Sequence, residues 1–285
     1  MKNEVKRKTV ISLICGRLGS VFISTVVRGI ENRINETKEY RVEIYSSDSS
    51  TPDDAGKSIE KIIEEKNSDG IIVISSTPKQ NSLKQLKKSK IPAVFIERDY
   101  NGHNSVIVDN FKAGYNAGKY LIEKAGRKKI GVILDPQIGE KNSATFYRYE
   151  GFKKALNESK NSIKDVKKTY VKHHTIEDGR RSFDMIYKNI KKIDGIFSIA
   201  GDMAAIGFIH EAKSHGINFP DDIAIIGFDD VEMASALEPP LTTIRQPILK
   251  MGEEAVNILN DVFKGKIKKP VKKILDSELI IRETA

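Results

Sequence analysis

Residues 221–247 read DDIAIIGFDDVEMASALEPPLTTIRQP, and this stretch decides the fold. Its Ile-rich run, Ile223 to Ile226, stops at Gly227 and passes to Phe228, Asp229 and Asp230. A short apolar run bounded by turn residues reads as a buried strand. Two carboxylates therefore stand just past that strand's carboxyl end, the edge at which open α/β sheets bind small ligands.

Outward from this stretch, short β-rich runs alternate with amphipathic ones, the pattern of βαβ units and mostly parallel sheets. Strands are expected at 9–15, 41–45, 70–74, 93–96, 129–134, 168–171, 195–198 and 223–226. Helices are expected among other places at 22–36, 53–66, 110–124, 144–157, 176–189 and 203–214. Over 53–66, Ile59, Ile62 and Ile63 form an apolar stripe at helical spacing while Lys57, Glu60, Lys61 and Glu64 face water. Asp69-Gly70 and Asp194-Gly195 each introduce a strand, as turn pairs do, and this echo suggests two similar lobes. Gly126 is placed to end its helix with a positive φ.

A chain of 285 residues exceeds the size at which single cores stop growing, so two lobes are expected. Hydrophobic content of 39% with 31% charged residues is that of a soluble globular protein. Lys+Arg outnumber Asp+Glu by 48 to 39, a net charge of +9 that raises nucleic acid as a partner. The lysines are scattered over helices, however, and Lys84-Gln85-Leu86-Lys87-Lys88 and Lys266-Ile267-Lys268-Lys269 read as solvated faces and loops. The lone Cys15 cannot form an internal disulfide, and its place at a strand end suits a small buried hydrophobe. No leader pattern opens the chain, which points to the cytoplasm. No apolar run approaches the ~20 residues that cross a bilayer, so no membrane partner is expected.

Catalytic patterns are missing: there is no G-x-S-x-G, no phosphate loop, no complete G-x-G-x-x-G and no metal-spaced Cys or His set. His173 and His174 are adjacent, so on a strand their rings point to opposite sides; they read as surface residues. No enzyme activity, cofactor or metal is expected.

Gly227-Phe228-Asp229-Asp230 is followed by Leu241-Thr242-Thr243-Ile244-Arg245-Gln246-Pro247 and by Met251-Gly252-Glu253-Glu254-Ala255. In order and spacing these resemble the effector-binding core of the lac and galactose repressor (LacI/GalR) family of transcription regulators. Val106-Ile107-Val108-Asp109-Asn110 with Gly114 and Gly118, Arg148-Tyr149-Glu150-Gly151-Phe152 and Leu279-Ile280-Ile281-Arg282-Glu283 extend the resemblance nearly end to end. It implies an α/β fold of two similar lobes, each a mostly parallel sheet flanked by helices (periplasmic-binding-protein-like, type I), joined by a three-crossover hinge. The lobes would be 8–123 with 247–275, and 124–246 with 276–285, the helix over 248–263 returning to the first. Only Met1 to Lys8 precede the first strand where the family carries a helix-turn-helix headpiece. Operator DNA is thus expected as a partner only through a headpiece absent from this chain.

The resemblance also implies a ligand site in the cleft between the lobes. The loop Gly16-Arg17-Leu18-Gly19-Ser20-Val21-Phe22 opens onto a helix amino terminus, a place that favours oxyanions and hydroxyl oxygens. In the family it lines the pocket with an aromatic where Phe22 falls; Arg17 and Ser20 depart from the family's usual D-x-S-N-P-F-F wording. Glu97 and Arg98 match a D-R pair with Glu in place of Asp, Arg148 opens R-x-x-G, and Asp229 ends the strand described first. Gln246, at the last crossover, touches ligand or braces the hinge. Asp202 matches the aspartate of N-D-x-x-A, or only caps its helix; Gly201 stands where many relatives have Asn. With no Trp in the chain, Phe22 and Tyr147 are the candidates for stacking a sugar ring. Asp109-Asn110 is expected to be structural or allosteric. Each charged member has a bland alternative as a structural ion pair, and Phe22 as core.

Carboxylates accept from hydroxyl pairs and guanidinium groups donate to hydroxyl and ring oxygens, which suits a polyhydroxylated, sugar-like effector. The expectation is a cytoplasmic, homodimeric sensor core that alters the DNA binding of a headpiece. The alternative is an extracytoplasmic sugar-binding protein of a transport system, which would need a leader. A third possibility is a Rossmann-like enzyme acting on a nucleotide or sugar phosphate.

Overall fold

The structure of the chain, a computed structural model, describes residues 7–37, 39–46, 53–141, 143–159 and 166–285. Residues 1–6, part of the short segment before the first strand, lie outside these. The chain begins β1 (Thr9–Cys15), α1 (Val21–Thr37), β2 (Tyr40–Ser46), α2 (Asp54–Glu65), β3 (Gly70–Ile74), α3 (Gln80–Ser89), β4 (Ala93–Ile96), β5 (Asn104–Val108). It continues α4 (Asn110–Lys119), a π-helical turn (Tyr120–Lys124), β6 (Ile130–Leu134), α5 (Ala144–Glu158), β7 (Lys167–Tyr170), α6 (Ile176–Ile186), β8 (Gly195–Ser198), α7 (Asp202–Ser214) and β9 (Ala224–Asp229). Last come α8 (Glu232–Ala236), β10 (Thr242–Arg245), α9 (Ile248–Phe263), β11 (Lys272–Leu275) and β12 (Glu278–Ile280).

Two compact units result: the described residues of Met1–Ile107 with Pro247–Leu275, and Val108–Gln246 with Asp276–Ala285. The sequence predicts the first passage at 123/124, but it falls at Ile107/Val108 because α4 packs with the second unit. Ala113, Ala117 and Leu121 share a core there with Phe152, Phe197 and Ile226. A Cβ on Gly114 would meet the Arg148 carbonyl oxygen at 1.9 Å, and one on Gly151 would meet that of Phe111 at 1.9 Å. Glycines on both helices thus let α4 and α5 run backbone to backbone, which draws α4 into that unit.

In the first unit the sheet order is β11-β5-β4-β3-β1-β2, with β1 to β5 parallel to their neighbours. The second runs β12-β10-β9-β8-β6-β7, parallel except for the antiparallel edge strand β12. Each sheet starts in its middle, steps outward once and then proceeds the other way. This doubly wound order places a switch point between β1 and β3, and again between β6 and β8. The central strands are buried along their length, as sheets covered on both faces require.

The paired turns repeat the same bonding in both units. Asp69 accepts from the Val10 N–H at 2.8 Å through its carboxylate and returns its own N–H to the Val10 carbonyl. Asp194 accepts from the Lys129 N–H at 2.7 Å and returns its N–H to the Lys129 carbonyl. Gly126 has φ +69° and closes the π turn.

Four strands, β5, β10, β11 and β12, are not among those expected from the sequence. Asn104 and Ser105 open β5 and are buried, because the Asn104 side chain donates to the Ala93 carbonyl and accepts from the Val271 N–H. Thr242 and Thr243 are buried in β10 for the same kind of reason, each hydroxyl being hydrogen-bonded. Among the described residues no helix is long and apolar enough to cross a membrane, and no cluster of His, Cys, Asp and Glu could hold a metal ion.

Candidate functional site

Each unit presents its candidate residues at the carboxyl edge of its sheet. In the first unit the loop after β1 carries Arg17, which is exposed, and Ser20, whose N–H donates to the Arg17 carbonyl at 2.9 Å. Phe22 lies half-buried in the first turn of α1. One strand along, Ser75 follows β3; one further, Glu97 and the buried Arg98 follow β4. The Ser75 hydroxyl donates to the Glu97 carboxylate in a very short hydrogen bond. Both take left-handed backbone conformations, φ 51° and 67°, in which a non-glycine residue is strained. Ser75 carries no sequence signal beyond its place after an apolar run.

In the second unit Asp229 and Gln246 come together, and Arg148 lies against Phe228, the residue before Asp229. Asp229 ends β9 with φ 114°, a conformation rare for any L-residue. The buried Gln246 donates from its side-chain amide to the Asp229 carboxylate at 2.7 Å. Arg148 is buried on α5: its Nε donates to the Asn110 side chain at 2.8 Å and one terminal nitrogen to the Ile199 carbonyl at 3.2 Å. Its guanidinium carbon lies 3.6 Å above the centre of the Phe228 ring, a cation–π contact that further fixes the fork. Asn110 thus steadies Arg148, and Asp109 caps α4 by accepting from the Lys112 N–H at 2.9 Å. Tyr147 is exposed.

Asp202 is fully buried at the start of α7. It does not cap that helix: its carboxylate accepts from the Thr243 hydroxyl at 2.6 Å and the Val231 N–H at 3.0 Å. Burial first, and then the nearby charge of Asp229, pushes its pKa well above the ordinary carboxylate range. A Cβ on Gly227 would meet Asp202 at 2.0 Å, so only glycine leaves room for that carboxyl. Gly201 has φ +104°, and a Cβ there would come within 2.9 Å of the Asp229 carboxylate.

Asp230 is separated from Asp229 in role as well as direction. It accepts from Arg245 at 2.6 Å and Arg282 at 2.6 Å, while Arg282 also donates to the Leu241 carbonyl at 2.7 Å. This knot ties the G-F-D-D, L-T-T-I and terminal I-I-R segments into one structure.

His174 is exposed, as a surface residue should be, and it has polar neighbours on both ring nitrogens. Its Nδ1 lies 2.8 Å from the Ala200 carbonyl. A carbonyl only accepts, so Nδ1 carries the proton. The other ring nitrogen is 3.7 Å from Asp135, a buried carboxylate that follows β6 and holds the Thr145 hydroxyl at 2.7 Å. His174 therefore stands at the β6/β8 switch point, where a loop after β7 folds over the sheet edge. A pair of adjacent histidines gives no hint of that fold-back. Cys15, by contrast, is buried, and burial pushes its thiol up to about 11, the behaviour of an inert core residue.

The family model of the periplasmic-binding-protein-like domain matches residues 119–285. The chain is 37% identical over 204 residues to the HTH-type transcriptional repressor PurR of Haemophilus influenzae, covering 70% of this chain and 58% of the repressor. It therefore spans somewhat over half the length of that relative. It is 31% identical to the HTH-type transcriptional regulator RegA of Clostridium acetobutylicum, covering 99% of this chain and 83% of the regulator. Among solved structures, a LacI family transcriptional regulator from Enterococcus faecium with bound ribose has a TM-score of 0.84 at 23% identity, covering 97% of this chain and 98% of its own. The lac repressor dimer bound to operator and an anti-inducer has a TM-score of 0.84 at 20% identity, covering 99% and 95%.

Proposed function

This chain belongs to the LacI/GalR family of transcription regulators with a periplasmic-binding-protein-like core, and we propose that it serves such a regulator as its effector-sensing part. The effector is a small polar molecule of sugar-like chemistry. The candidate recognition residues are Arg17, Ser20, Phe22, Glu97 and Arg98 in the first unit, and Arg148, Asp229 and Gln246 in the second. The observation that carries this reading is the Asp229 carboxylate, set by Gln246 at 2.7 Å in a strained backbone conformation. Strain of that kind persists where the surroundings over-determine it, and ligand sites are where it collects. Asp229 accepts from ligand hydroxyls and Arg148 donates to ligand oxygens; neither needs to transfer a proton or form a bond.

Effector binding biases two states of the regulator by its differential affinity for them. In a cytoplasmic homodimer that bias alters how a DNA-binding headpiece engages operator DNA. The relatives named above are a repressor and a regulator, which favours this role over that of a transport-system binding protein.

The E. faecium regulator with bound ribose makes a pentose the first ligand to try. Thermal-shift screening of ribose and a panel of neutral sugars, followed by calorimetric titration of any hit, tests the reading. One saturable site per chain is expected; a panel without any stabilising sugar overturns the sugar-like effector. Sedimentation at micromolar concentration tests the homodimer, which a monomer would refute.

A further inference from the structure

The first unit has a concavity at the opposite edge of its sheet from Ser75 and Glu97. A cleft of about 370 Å³ opens beside Ala93 and Asn104, the first residues of β4 and β5. Lys87 and Lys90 line it from the end of α3, and Lys268 and Lys269 from the segment after α9. In the sequence these lysines belong to two clusters far apart that look like separate solvated faces. Folding brings them to one mouth.

Their charge is not answered by carboxylates. The neighbouring Lys266 pairs with Asp261 at 3.4 Å and Lys272 with Asp99 at 2.8 Å. Among the described residues Lys87, Lys90, Lys268 and Lys269 have no carboxylate within the 4.0 Å that defines an ion pair. Two helices end here, and each carboxyl terminus contributes about half a negative charge. Four ammonium groups exceed that by roughly three charges. His103, also in the lining, has its pKa lowered by burial first, and Lys87 lowers it further against a hydrogen bond to the Leu83 backbone. The site resists a further positive charge.

We infer that this cleft binds a small phosphate-bearing anion, independently of the effector residues. Its volume falls within the range of about 300–1,000 Å³ typical of small-ligand pockets. Ile91, Pro92 and Val262 give it an apolar floor, and the exposed lysines reach over that floor from two sides. Duplex DNA presents its phosphates on a convex rod, which a concave pocket fits poorly.

Pyrophosphate is the probe. Calorimetry on the whole chain should show one saturable site, and the imidazole of His103, followed by NMR, should titrate at higher pH once the anion is bound. The double variant Lys87→Glu, Lys269→Glu should weaken binding at least tenfold while sugar binding and the unliganded melting temperature stay unchanged. Lys268→Gln with Lys269→Gln should give a smaller loss in the same direction. Asp229→Asn should bind pyrophosphate normally, which separates this site from the effector site. Absence of saturable binding, full binding by the charge-reversed variant, or displacement of pyrophosphate by equimolar random-sequence duplex would each overturn the inference.

Discussion

Asp202 shows how a single buried carboxyl organises the second unit's sheet edge. It joins the start of α7, the segment after β9 and β10 through Thr243 and Val231. Its raised pKa means that the folded chain holds the proton more tightly than the unfolded one. Stability is then greatest below the unfolded value, about 4 for an aspartate, and falls as pH rises from there through the folded value. Asp202→Asn removes this titration while an amide can still serve both partners once the Thr243 hydroxyl turns. Urea midpoints at pH 5 and pH 8 should lie closer together than in the parent; an unchanged gap would refute the assignment. Asp202→Ala should cost about 1–3 kcal/mol by leaving a buried N–H without its acceptor.

Asp230 gives a contrasting prediction. Its two arginine partners make it structural, so Asp230→Asn should lower stability by roughly 1–3 kcal/mol and leave ligand affinity within a factor of two to three, read by urea unfolding and calorimetry. The sequence showed two carboxylates after a strand; which one would be consumed by Arg245 and Arg282 depends on partners up to 52 residues away. The sequence shows His174 as the surface residue it is, but not its contact with the Ala200 carbonyl, which spans 26 residues.

At the scale of elements, three helix pairs share one device. Gly29 and Gly252 allow α1 to touch α9, Gly114 and Gly151 allow α4 to touch α5, and Gly179 and Gly207 allow α6 to touch α7. At each of these glycines an added Cβ would meet a backbone carbonyl oxygen of the opposite helix within 2.2 Å. The R-x-x-G spacing thereby acquires a physical reason: Gly151 lets α5 approach α4, and the approach sets Arg148 beside Asn110. In an exposed helix Gly→Ala gains up to about 1 kcal/mol; here overpacking should reverse the sign. Gly151→Ala is expected to destabilise by about 1–3 kcal/mol and to weaken effector binding, measured by thermal unfolding and calorimetry. A stabilised variant would show that the helices are free to separate. Apolar periodicity revealed most of these helices and the central strands, but not β5 and β10, whose buried polar residues are satisfied by hydrogen bonds, nor the short, largely exposed edge strands β11 and β12. It also missed that α4 joins the second unit, because glycine-mediated approach leaves no apolar stripe to read.

For the whole molecule, two sheets with corresponding strand orders each carry candidate residues at their carboxyl edge. The two-lobed architecture was legible because buried parallel strands write continuous apolar runs, and because the Asp-Gly turn pairs recur at corresponding strand starts. The lysines are dispersed along the sequence, yet folding gathers part of their charge at one cleft of the first unit. Linear sequence does not reveal which loops share a sheet edge. The central claim is that sheet-edge carboxylates, Glu97 in the first unit and Asp229 in the second, serve effector binding. It is tested most directly by calorimetric titration of the best-binding sugar into the parent chain, Glu97→Gln and Asp229→Asn, at matched unliganded stability. Each substitution should weaken binding at least tenfold with one site per chain retained in the parent; undiminished affinity in both variants would contradict the account.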